Sequence, residues 1–192
     1  MGIAVGDVSG KGIGAALLMA SLQASLRAQA LRPHLDLSTL IGDVNRLVHE
    51  SSPADFYAIL MYAEYEPATR VLNYVNAGHI APIVVRPRND SCELYHLNSE
   101  CRPVGLSPDS EFATSIFQFE MGDVLVAYTD GITEAENRQG ELWGEQRLEN
   151  LLRSRSRETP EQIINGILDE VSAFAAGQAQ RGRCHSGGHE CP

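Results

Sequence analysis

The chain has 192 residues, 43% of them hydrophobic, which is the usual size of one domain and enough apolar content to close one core. Its 25 acidic against 15 basic side chains give a formal charge of −10, which repels phosphate backbones and anionic lipid and so argues against nucleic acid and membrane surfaces as partners. No apolar run approaches the roughly 20 residues of a bilayer span, and Met1-Gly2-Ile3-Ala4-Val5 lacks the pattern of a signal peptide, so a soluble, cytoplasmic chain is expected.

Gly2 to Val5 reads as an apolar strand that runs into the turn Gly6-Asp7-Val8-Ser9-Gly10-Lys11-Gly12. Apolar residues then recur at helical spacing from Ile13 to Leu31, with Leu17, Leu18 and Leu26 expected to pack on a sheet and Pro33 limiting the helix. A second helix is predicted from about Leu37 to His49, capped by Asp36, with Leu40, Ile41, Val44, Leu47 and Val48 on its apolar side.

From Phe56 the period changes to that of strands: Tyr57 to Glu64, Val71 to Asn76 and Ile83 to Arg86. Cys92 to Leu97, Ala113 to Phe119 and Asp123 to Thr129 follow, with Asp123 expected to be an ordinary turn residue after Gly122. Helices are predicted again over Glu145 to Arg153 and Thr159 to Phe174, the second with a threonine cap followed by proline. Strands grouped between helix pairs indicate an α+β fold.

Between the last two helices, Arg153-Ser154-Arg155-Ser156-Arg157 reads as a solvated helix end and loop. Residues 177–192 hold almost nothing with which to join a core, so a poorly ordered tail is expected. The four cysteines, Cys92, Cys101, Cys184 and Cys191, are too few and too unevenly placed for a disulfide scaffold and read as reduced thiols. Cys184, His185, His189 and Cys191 offer zinc-type ligands at a spacing that matches no established zinc pattern.

The chemistry is expected at two aspartates, Asp7 and Asp130, each read as ending an apolar strand and followed by a glycine-containing turn. A carboxylate projected from such a place offers hard oxygen ligands for Mg²⁺ or Mn²⁺; for either residue alone a turn or helix cap is the plainer reading. The glycine-rich turn is not a nucleotide P-loop, because Val5 and Gly12 stand where that pattern needs a glycine and a Ser or Thr. Lys11 reads either as an attractor of phosphate or as a solvated side chain, and His79 either as orienting a ligand or as a hydrogen-bonded structural histidine.

Four segments occur in one order: Gly6-Asp7-Val8-Ser9-Gly10-Lys11-Gly12 with Ala15 to Ala20; Asn76-Ala77-Gly78-His79 with Pro82; Pro103-Val104-Gly105-Leu106; and Gly122 to Ala135, continued by Asn137, Gly140, Glu141, Gly144 and Leu148. Together they make the chain resemble the PPM-type metal-dependent serine/threonine protein phosphatases, in the SpoIIE/RsbU-like branch. The resemblance covers about residues 2 to 175 and implies a four-layer αββα sandwich of two antiparallel sheets flanked by helices. It also implies two Mn²⁺ or Mg²⁺ ions, held by Asp7, the carbonyl of Val8 and Asp130, and a water activated between the metals in place of a side-chain nucleophile. The implied substrate is a phosphoserine or phosphothreonine protein, in this branch an anti-sigma-factor antagonist in bacterial signalling. Full-length relatives have room for an upstream sensor domain.

The family also carries an earlier Gly-Gly-Asp segment and a closing Asp-Asp-x-Thr segment, each with a metal-binding aspartate. Neither is found here, and Gln178-Ala179-Gln180-Arg181-Gly182-Arg183-Cys184-His185 stands where the second belongs, as if from a shifted reading frame or an altered end. The expectation is therefore a partial phosphatase domain over residues 1–176, incomplete at both ends, with a tail over 177–192. The competing reading is a catalytically weak or inactive phosphatase-like binding module.

Overall fold

The computed structural model describes residues 1–31, 36–52, 56–98 and 101–176, so Pro33, the tail and its Cys/His group lie outside the described residues. The chain divides into two compact units, one formed by residues 1–82 with 96–121 and the other by 83–95 with the residues from 122 onward.

The first unit is a four-stranded antiparallel sheet in the order β1 (Gly2–Val8), β2 (Ala58–Glu66), β3 (Val71–Ala77), β6 (Ser115–Gln118), with helices α1 (Ile13–Ala30) and α2 (Leu37–Ser51) on one face. β1 lies at an edge of this sheet. Period-two alternation directs Ala58, Leu60 and Tyr62 of β2 to the helices, where Leu18, Leu22, Leu26, Leu40, Ile41, Val44 and Val48 close the core over them. Of the three leucines expected to pack from α1, Leu18 and Leu26 are buried, whereas Leu17 is 64% exposed. The apolar residues of α1 run round the whole helix, so their spacing does not by itself select the buried stripe. Leu47 of α2 is likewise exposed, and Leu37 is buried instead.

Asp36 caps α2 as expected: its carboxylate accepts from Thr39 N at 3.0 Å and from the hydroxyls of Ser38 and Thr39. Those hydrogen bonds, Ser38 and Thr39 foremost, hold its carboxyl below the usual range, at about 2.

The second unit holds a three-stranded sheet in the order β5 (Cys92–His96), β4 (Ile83–Pro87), β7 (Val124–Val126), followed by α3 (Asp130–Thr133), α4 (Glu145–Ser154) and α5 (Pro160–Phe174). Thr159 and Gln162 form a reciprocal capping box at the start of α5. The β4–β7 register, with Val85 opposite Val124, sets Arg86 beside Asp123. Asp123 is therefore not a turn residue: its carboxylate is fully buried and takes a bidentate pair of bonds from the Arg86 guanidinium, 2.9 Å from Nε and 2.6 Å from Nη2. Arg86 also stacks on the ring of Tyr95, 5.0 Å from its centroid.

In the arginine run Arg153, Ser154 and Arg157 are exposed, as expected of a solvated helix end and loop, while Arg155 is half-buried and Ser156 buried. Arg153 donates to the carbonyl of Cys92 at 3.0 Å, and Arg157 donates to the carbonyls of Arg88 and Asn89, so both tie the end of α4 to the β4–β5 connection. Arg155 pairs with Glu158 at 3.0 Å and lies against Gly166 of α5, where an added Cβ would come within 2.8 Å of the guanidinium. Among the described residues neither Cys92 nor Cys101 is in a disulfide, and no helix is long and apolar enough to cross a membrane.

Two outcomes follow. Asp123→Ala, which strands the buried Arg86 charge, should cost about 3–5 kcal/mol in urea unfolding, and a loss under 1 kcal/mol would contradict the pairing argument. Because folding lowers the Asp36 carboxyl, its contribution is present above the ordinary carboxylate range and is lost as pH falls through that range toward about 2. The acid limb of a stability–pH curve should therefore flatten in Asp36→Ala, and an unchanged limb would count against the cap.

Candidate active-site residues

The strand expected over Gly2 to Val5 continues through Asp7 and Val8, because Ile59 and Ala58 of β2 remain opposite them. Gly6 permits the approach: a Cβ there would lie 2.8 Å from the carbonyl oxygen of Ile59. Beyond the strand, Ser9 N donates to Tyr57 O at 2.8 Å while Tyr57 N donates to Ser9 Oγ at 2.9 Å, and the ring of Phe56 lies under Gly10 and Gly14. α1 then begins without a side-chain cap.

The phase of the ladder decides which way the backbone of Val8 faces. Ala58 uses both its amide and its carbonyl on Val104, each bond 2.8 Å, so neither group points at β1. The pair Val8–Ala58 is therefore a non-hydrogen-bonded pair, and in an antiparallel ladder the amide and carbonyl of Val8 turn away from β2, toward the edge of the sheet. The amide donates to Oδ1 of Asp7 at 2.8 Å, which draws the exposed carboxylate toward the same edge. A carboxylate and a backbone carbonyl are thus presented together at the end of β1. Both are hard oxygen donors, a set that suits Mg²⁺ or Mn²⁺. Lys11, the chain's only lysine, is exposed in the turn that follows.

In the second unit Asp130 does not end a strand. β7 stops at Val126, and Asp130 opens the short helix α3, its carbonyl accepting from Glu134 N at 2.7 Å and its side chain exposed. The remainder of that sequence segment builds the turn behind it. Asn137 Oδ1 accepts from Gln139 N and Glu141 N at 3.0 and 2.9 Å, Trp143 N donates to Ala135 O, and Gly144 N donates to Thr133 O, each at 2.8 Å. Trp143 and Leu148 are buried beneath it. Burial, reinforced by Glu145 and Glu149, holds the Tyr128 hydroxyl well above the usual tyrosine range, so it stays a neutral donor to Glu145 at 3.4 Å.

His79 is buried in the first unit. Its amide donates to Asn76 Oδ1 at 2.8 Å and its Nδ1 donates to Ile80 O at 2.7 Å, while Asn76 Nδ2 donates to Leu97 O at 3.1 Å. These bonds give His79 the structural role weighed for it, and among the described residues its buried Nε2 has no hydrogen-bond partner. Sequence reasoning missed a second polar group of this unit, Asn45 on the core face of α2, because nothing in its spacing separates it from a surface residue.

Residues 1–181 match the family described as Stage II sporulation protein E (SpoIIE). The chain belongs to this family. Phosphoserine phosphatase RsbU of Bacillus subtilis is 27% identical over 172 residues, covering 88% of this chain and 49% of that protein. Phosphoserine phosphatase RsbP of the same organism is 31% identical over 136 residues, covering 69% of this chain and 33% of that protein. The chain thus spans half or less of the length of these two relatives. Among solved structures, the SiaA-PP2C domain of Pseudomonas aeruginosa superposes with a TM-score of 0.80 at 18% identity, over 94% of this chain and 71% of that one. The catalytic domain of the serine/threonine protein phosphatase PstP, solved with two manganese ions, gives 0.59 at 14% identity, over 88% and 81%. These likenesses show the PP2C fold, α+β with two antiparallel sheets and flanking helices.

The close approach at Gly6 gives a direct check. Gly6→Ala should destabilise the chain by about 1–3 kcal/mol through the clash with Ile59 O, read by urea unfolding, and a neutral result would mean that β1 and β2 separate there at no cost.

Proposed function

We propose that this chain is a phosphatase domain that hydrolyses phosphoserine or phosphothreonine in a partner protein with Mn²⁺ or Mg²⁺ as cofactor. The observation that carries the reading is the end of β1, where the Asp7 carboxylate and the outward-turned Val8 carbonyl stand side by side within the family's glycine-rich segment. Asp7, Val8 and Asp130 are the proposed ligands. Divalent cations bound there would supply Lewis acidity toward the phosphoryl group and an activated water.

The chain's own residues supply placement and charge. Asp7 is fixed through its bond from Val8 N, and Asp130 is held at the first turn of α3 by the braced loop behind it. Lys11 offers a cation to an approaching phosphate on a chain that is otherwise acidic. Ser9 Oγ accepts from Tyr57 N, a strand-closing role, which favours direct hydrolysis over a phosphoseryl intermediate.

The substrate proposed is a phosphorylated anti-sigma-factor antagonist in the bacterial cytoplasm. The support is the naming of the relatives RsbU and RsbP as phosphoserine phosphatases.

The test is hydrolysis of a phosphoserine peptide under Mn²⁺ titration, with chelation as the control. Asp7→Asn and Asp130→Asn should each lower kcat/KM at least about 100-fold and shift the Mn²⁺ midpoint upward, as expected for loss of a ligand that places the metal. Turnover that survives chelation, or that is unchanged in both variants, would overturn the reading.

A further inference from the structure

Asn45 is fully buried on a helix face otherwise made of Ile41, Val44 and Val48, a costly place for an amide unless its hydrogen bonds are made. They are all made to one segment. Its Nδ2 donates to Ser107 O at 2.9 Å and Pro108 O at 3.3 Å, and its Oδ1 accepts from Gly105 N at 2.8 Å. One helical turn on, Nδ1 of His49 donates to Gly105 O at 2.9 Å. Between the two bonds Val48 presses on Gly105, which has φ of 86°, and an added Cβ would come within 2.7 Å of Val48 Cγ1. Asn45 and His49, four apart on α2, thus grip both backbone groups of one glycine.

The residue before that glycine is Val104, which takes both backbone groups of Ala58. That pairing is what leaves Val8 without hydrogen bonds to β2 and turns its carbonyl to the edge. A continuous set of bonds therefore runs from α2 through Gly105 and Val104 to Ala58, and from its neighbour Tyr57 through Tyr57 O and Ser9 N to the strand end that bears Asp7 and Val8.

We infer that Asn45, assisted by His49, is a positioning residue for the Asp7–Val8 ligand pair. It touches neither metal nor substrate. It fixes the turn whose Val104 sets the ladder phase at the end of β1. The role as a ligand support rests on the phosphatase reading, whereas the mechanical coupling does not.

The experiment separates the two. Amide hydrogen exchange is measured on the whole chain for wild type, Asn45→Asp and His49→Ala, at Val104, Ala58 and Ser9, with Tyr65, bonded to Met1 O at the far end of the β1–β2 pair, as control. Asn45→Asp keeps the acceptor for Gly105 N and removes the donor to Ser107 and Pro108; His49→Ala is the milder change at a half-buried position, so a failure of the first to fold leaves the second to decide. Protection at Val104, Ala58 and Ser9 should fall about 10-fold or more with Tyr65 unchanged. Mn²⁺ affinity, read by calorimetry, should weaken about 10-fold with the phosphopeptide KM unchanged.

Loss confined to Val104, with Ala58 and Ser9 protected as in wild type, would overturn the coupling. So would an equal loss at Tyr65, which marks general destabilisation. If wild type binds no Mn²⁺, the phosphatase reading falls, and the exchange pattern still decides whether α2 positions the end of β1.

Discussion

The arrangement of Asp7 and Val8 depends on the pair of hydrogen bonds between Ala58 and Val104. An antiparallel strand alternates residues that bond to a given neighbour with residues that bond away from it, so fixing one residue fixes the phase of the whole ladder. Because Ala58 is spent on Val104, the opposite residue on β1 must present its carbonyl outward. That residue is Val8, next to Asp7. A slip of one position would send the carbonyl of Val8 into β2 and carry the Asp7 side chain to the face covered by α1 and α2.

The second unit rests on a different use of charge. Its arginines serve the fold: Arg86 neutralises a fully buried Asp123, Arg153 and Arg157 satisfy carbonyls at the β4–β5 connection, and Arg147 bonds the carbonyls of Leu142 and Trp143 while stacking on Phe174 at 4.5 Å. A planar guanidinium with several donors can close two carbonyls at once, which an ammonium does with less geometric definition. The single lysine, by contrast, is left exposed in the turn that follows Asp7 and Val8.

These two habits explain what could be read from the sequence. Helices and strands were legible where one local signal decides, as with Asp36 before α2, the Thr159-Pro160 start of α5, and the alternation in β2 and β3. The residues proposed as ligands, Asp7, Val8 and Asp130, stand out in the sequence through their motif context. What spacing cannot carry is the partner of a polar group. Asp123 follows a glycine as a turn residue would, and only the β4–β7 register reveals the arginine beside it. The arginine run is legible as an exposed helix end, but the carbonyls of Arg88, Asn89 and Cys92 to which Arg157 and Arg153 donate are not. Leu17 and Leu18 are indistinguishable as letters, and the direction of α1 over the sheet buries one of them.

Three aspartates show how environment sorts one chemical group into separate roles. The Asp123 side chain has no exposed surface and takes both arms of a guanidinium, so its charge is cancelled within the chain. Asp36 keeps its charge in solvent and shares it among two hydroxyls and a backbone amide, which lowers its proton affinity and starts a helix. Asp7 is exposed and, among the described residues, its carboxylate is bonded by the amide of the next residue. One such bond orients a carboxylate without using up its lone pairs, since each ionised carboxylate can accept about four hydrogen bonds or ligand contacts. The remaining capacity faces the free edge of β1, alongside a carbonyl that the ladder has also turned outward. A hard cation is one species that both oxygens could bind in common, which is the physical support for the divalent cation proposed at Asp7.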